Sequence, residues 1–102
     1  MVISIASGCE LAVSGRLDVH QAPDVRAALH AAIDGGTGDL VVDLSGVELV
    51  DATGLGVLVG AHRRAAGVNR RMVLRDAAPR LNRILRATRL HRVLTLETRA
   101  TV

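Results

Sequence analysis

Short apolar runs at Val2-Ile3-Ser4-Ile5-Ala6 and Leu11-Ala12-Val13 flank Ser7-Gly8, a pattern that predicts a β-hairpin. Gly15-Arg16-Leu17-Asp18 then leaves the second strand. Pro23 suits a first helical turn, and Val25, Leu29, Ala32 and Ile33 recur on one helical face before Gly35-Gly36 ends the helix. Leu40-Val41-Val42-Asp43-Leu44 is a compact β-branched run suited to a central strand buried on both faces. The next helix is predicted from about Gly54 to Ala66, ending at Gly67, with Leu55, Leu58, Val59, His62, Ala65 and Ala66 turned inward. Met72-Val73-Leu74 gives a fourth strand. Asp76 and Pro79 open a third helix with Leu81, Ile84, Leu85 and Thr88 inward and Arg83 and Arg86 outward. Val93-Leu94-Thr95-Leu96 closes the pattern as a last strand. The order ββαβαβαβ predicts an α/β fold, a mixed central sheet with parallel crossovers and helices packed on it.

A chain of 102 residues fits one domain, 1–102, and can bury enough surface to stand without disulfides or a metal. The single cysteine, Cys9, has no partner in the chain, as expected of a reducing compartment. With neither a signal-peptide pattern nor an apolar run long enough for a bilayer, the expected location is cytoplasmic, with no membrane partner. There is no Phe, Tyr or Trp, so the core is packed from aliphatic residues alone. The mean hydropathy of +0.31 hints at apolar surface that awaits a partner.

Charge divides along the chain. Residues 1–51 hold Arg16 and Arg26 against eight carboxylates, whereas residues 52–102 hold eleven arginines against Asp76 and Glu97. Such asymmetry raises the question of nucleic acid. Single-strand binding relies on aromatic stacking platforms that this chain cannot build, so the charges are read as solvating halves that intermix in space, with no direct nucleic-acid partner.

Catalytic chemistry is hard to find. His20, His30, His62 and His91 are widely spaced and none stands in zinc-type spacing with Cys9; no metal, no cofactor and no catalytic residue is expected. Gly54, Gly56 and Gly60 follow a strand and open a helix, as a dinucleotide-binding loop would. Their third glycine is one position late, however, and Asp51 would set a carboxylate beside a pyrophosphate. The outward face of this helix is more informative. Gly56, Val57, Gly60 and Arg64 are predicted opposite the apolar stripe, where small groups would let another backbone approach. Two glycines in a helix cost about 1 kcal/mol each, which asks for either close packing within the chain or a docking surface. Asp51 is placed to cap the helix. Thr53 stands at the positive end of its dipole, where a phosphoryl group would be tolerated and would add about −1.5 to −2 charges.

The stretch Val41 to Val47 with Asp51-Ala52-Thr53-Gly54-Leu55-Gly56-Val57-Leu58 resembles the STAS domain of bacterial anti-sigma factor antagonists. Gly15-Arg16-Leu17-Asp18 and Leu90-His91-Arg92-Val93-Leu94 extend the likeness over nearly the whole chain. The resemblance implies a non-enzymatic module that binds an anti-sigma factor of the serine/threonine kinase type and frees a sigma factor. Its contacts would be Asp18, Asp51, Ala52, Thr53, Gly54, Gly56, Val57, Gly60 and Arg64. It also implies that the partner, using its own ATP and magnesium, phosphorylates the antagonist at this turn. Two departures stand out. The usual acceptor position, directly after the aspartate, is Ala52, which leaves Thr53 or no acceptor at all. Glu97 to Val102 is too short for the further helix common in the family, which leaves a homodimer open. The rival readings are an accessory subunit of a transport ATPase and, from the glycines alone, a nucleotide binder.

Overall fold

The computed structural model describes residues 2–7 along the backbone and residues 9–97 in full. Five strands and three helices follow in the order β1 (Val2–Ser7), β2 (Glu10–Leu17), α1 (Ala22–Asp34), β3 (Leu40–Val50), α2 (Ala52–Gly67), β4 (Met72–Arg75), α3 (Pro79–Ala87) and β5 (Thr95–Glu97), with a 3-10 turn at Leu90–Arg92. The sheet order is β1-β2-β3-β4-β5. β1 runs antiparallel to β2, and the other neighbours pair in parallel. This is the expected α/β order. Gly8 of the expected hairpin turn, and the chain after Glu97 where a further helix was not expected, lie outside the described residues.

Strand periodicity explains where the core sits. Leu11 and Val13 of β2, Leu40, Val42 and Leu44 of β3, and Met72 and Leu74 of β4 alternate onto one face of the sheet and are all buried. Val25, Leu29 and Ile33 of α1, Leu58 and Ala65 of α2, and Leu81 and Leu85 of α3 pack into the same cluster. The expectation that β3 is buried on both faces is corrected: Val41 and Asp43 on the second face are only half-buried. There Arg75 of β4 donates to Glu10 of β2 and, at 3.4 Å, to Asp43 of β3.

β2 and β3 are longer than the apolar runs suggest. β2 continues through Gly15-Arg16-Leu17, and β3 runs beside it to Val50, with Leu17 opposite Val50. Gly15 has φ +91°, a conformation costly for other residues, and lies where the β2–β3 register shifts. Extending both strands delivers Leu17 and Val50 together to the start of α2.

The loop between α1 and β3 is held by Arg70, which is 4% exposed. Its guanidinium donates to the Ala32 and Ile33 carbonyls at 2.8 and 3.0 Å and to the Gly38 carbonyl at 2.9 Å. A cation thus occupies the negative end of the α1 dipole and satisfies carbonyls that the helix end leaves without partners.

Candidate functional site

Two loops meet at Asp51. One carboxylate oxygen accepts the Gly54 N–H at 2.9 Å, capping α2, and the other accepts the Val19 N–H at 3.0 Å from the β2–α1 loop. The Asp51 N–H itself donates to the Leu17 carbonyl at 3.2 Å. The Gly54 bond, with those from Val19 and Thr53, holds the Asp51 carboxyl below the usual carboxylate range despite partial desolvation. Within the β2–α1 loop the Asp18 carboxylate accepts the His20 and Gln21 N–H groups, both at 3.1 Å. Both aspartates therefore shape backbone; neither is a free carboxylate reaching for a ligand.

Gly54 is explained by close packing. A Cβ there would stand 2.1 Å from the Leu17 carbonyl oxygen and 2.9 Å from a Val50 methyl, so only glycine lets α2 start against the ends of β2 and β3. Its assignment as a partner contact is corrected accordingly, because the residue is buried. Val57 is corrected as well. It is 2% exposed and belongs to the core. The buried face of α2 is Gly54, Val57, Leu58, Ala61 and Ala65, about a quarter turn from the expected one. Hydrophobic spacing turned the large residues inward, whereas the helix seats through its small ones, which allow a close approach to the sheet. Leu55, Val59 and His62 lie at the half-buried margin, and Ala66 is exposed.

What α2 offers outward is a smooth strip. Ala52, Thr53, Gly56, Gly60, Arg63 and Arg64 are exposed. A Cβ added at Gly56 or Gly60 would meet nothing within 4 Å, so packing among the described residues does not account for these two glycines. Arg64 at the far end pairs with Asp34 of α1 at 2.5 Å, which fixes its position beside the strip. Beside Thr53 an open depression is lined by Val19, Ala22, Pro23 and Arg26. Val19, 54% exposed, and Arg26 were not singled out from the sequence. The one available signal was an apolar residue directly after Gly15-Arg16-Leu17-Asp18.

Among the described residues no three His, Cys, Asp or Glu side chains gather as a metal would require. No described helix is long and apolar enough to cross a membrane.

The family model described as "Mlab, STAS domain" matches residues 3–96. The chain belongs to the STAS domain family. An anti-sigma-B factor antagonist of Staphylococcus aureus is 31% identical over 81 residues, which are 79% of this chain and 75% of that one. Among solved structures, an anti-sigma factor antagonist from Mycobacterium paratuberculosis superposes with a TM-score of 0.75 at 27% identity, covering 93% of this chain and 81% of the other. The Bacillus cell fate determinant SpoIIAA in its phosphorylated form gives a TM-score of 0.72 at 19% identity, over 97% and 90% of the two chains, and shows a shared fold. In this STAS domain the strand-to-helix turn Asp51-Ala52-Thr53 joins the β2–α1 loop to α2, with the glycine strip beginning directly beyond it.

Proposed function

We propose that this chain, read as one STAS domain over 1–102, is a cytoplasmic anti-sigma factor antagonist. It binds an anti-sigma factor of the serine/threonine kinase type through the exposed turn and face of α2 and so releases a sigma factor. The observation that carries this reading is the open strip over Gly56 and Gly60, two glycines in a helix that no contact among the described residues requires. The family membership and the relatives called anti-sigma factor antagonists support it. The working surface is Ala52, Thr53, Gly56, Gly60, Arg63 and Arg64 with Val19 and Arg26 beside them, while Asp18, Asp51, Gly54 and Val57 hold it in shape. The chain is a binding module, not an enzyme, and carries no cofactor of its own.

Phosphorylation control is altered. Ala52 has no hydroxyl to accept a phosphoryl group, and the next hydroxyl, on Thr53, is displaced by about 100° around the helix. A phosphate there would also add negative charge beside the Asp51 carboxylate. Docking is accordingly constitutive and set by abundance. The test is reconstitution with a kinase-type anti-sigma factor, its sigma factor and ATP. Sigma release that persists on prolonged incubation, with no phosphate found by mass spectrometry, is the expected result. Phosphate on Thr53 that abolishes release, with Thr53→Ala restoring it, would defeat the constitutive reading; failure to release sigma at all would defeat the antagonist reading.

A further inference from the structure

The third helix carries a charge pattern that the α2 surface does not use. Arg80, Arg83 and Arg86 recur every three residues along about 9 Å of α3, and Arg89 and Arg92 continue beyond its end. All five are exposed, and none forms an ion pair among the described residues. No Asp or Glu occurs between Asp76 and Glu97. A merely solvated helix face commonly interleaves both signs, and a cation in the first turn, as Arg80 is, opposes the helix dipole. Beside Arg80 lies a small groove between the end of β3 and α3, lined by Val47, Glu48, Leu49, Val50, Leu81 and Ile84. Leu49 is 43% exposed there.

We propose that α3 and this groove form a second docking surface, which takes an acidic segment of a partner protein anchored by an apolar side chain. The arginine row complements carboxylates, and Leu49, exposed beside it, offers an apolar side chain a surface to pack on. A phosphodiester backbone would satisfy the arginines and leave Leu49 unused. A lipid surface would need an apolar helix face, but Leu81 and Leu85 are 3% and 0% exposed. A second copy offers no row of carboxylates to match: Glu10, Asp34, Asp39 and Asp43 are paired with arginines of their own chain, Asp18 and Asp51 hold backbone N–H groups, and the exposed Asp24, Glu48 and Glu97 lie on three different elements. This inference does not depend on the α2 reading.

The experiment titrates the full chain with a fluorescein-labelled amphipathic peptide whose glutamates recur at helical spacing beside leucines, read by anisotropy and by amide chemical shifts. Saturable binding is expected, with shifts at residues 47–50 and 80–92 and weakening as salt rises. The triple variant Arg80→Gln/Arg83→Gln/Arg86→Gln weakens it on the order of ten-fold, as does replacing the peptide leucines by serine. Leu49→Ser weakens it with every arginine in place, and Arg71→Gln, which removes an exposed cation at the opposite end of β4 from α3, does not. Absence of saturable binding, or unchanged affinity in both the triple variant and Leu49→Ser, would overturn the proposal. So would displacement of the peptide from the same residues by duplex DNA or by phosphatidylglycerol vesicles.

Discussion

Three glycines of α2 illustrate how one residue type serves opposite ends. Gly54 is compulsory because a methyl would overlap the Leu17 carbonyl, whereas Gly56 and Gly60 face open space. Gly54→Ala is expected to destabilise the fold by about 3 kcal/mol through overpacking, and Gly56→Ala to stabilise it by up to roughly 1 kcal/mol through helix propensity. Urea denaturation midpoints of the two variants separate these roles, since the shifts have opposite signs. Nothing in the sequence distinguishes the three glycines, because the distinction lies in what Leu17 and Val50 bring to the helix start. Asp51, by contrast, was legible: an aspartate directly before a helical pattern is a cap, and its second oxygen binding Val19 is a tertiary addition. Its folded-state pKa is lowered, so its contribution is present above the unfolded carboxylate value near 4 and is lost as pH falls through the folded one. Asp51→Asn removes that titration. Thermal melts from pH 6 downward should show a shallower loss of stability below about pH 4 in the variant than in the parent chain, with a lower starting Tm.

Element order was legible almost throughout, since period-two and 3.6-residue patterns alternate cleanly with glycines and prolines between them. Rotation of α2 was not. A spacing argument weighs residues by hydropathy, so Leu55 and Val59 outweighed Gly54 and Ala61, yet the closest approach belongs to the smallest side chains. Strand length was understated for a related reason. Gly15 and Ser45-Gly46 look like exits from a strand, but β2 and β3 pair past them through register shifts. The end of α1 depends on a residue far away in sequence. Arg70→Met keeps much of the buried volume and removes the donors to Ala32, Ile33 and Gly38. A loss of about 2–4 kcal/mol is expected, because buried carbonyls lose their partners. Hydrogen exchange should show the loss of protection concentrated in the last turn of α1.

For the whole molecule, the charge asymmetry between halves resolves in two ways. Asp34 with Arg64, Asp39 with Arg71, and Glu10 and Asp43 with Arg75 join the acidic half to the basic one, as intermixed halves should. The arginines of α3 stand outside this exchange, which sequence charge counting could not show because it carries no pairing. Two surfaces follow, on different helices: the glycine strip of α2 and the cationic face of α3. The proposed function depends most heavily on the strip. Its most direct test is calorimetric titration of a kinase-type anti-sigma factor with the parent chain and with Gly56→Arg, whose side chain projects into open space and leaves the fold intact. Saturable binding by the parent chain is expected, with a loss of at least about 100-fold in the variant, as a long cation blocks close approach. Equal affinity of the two proteins, with Gly56→Arg folded by circular dichroism, would contradict it.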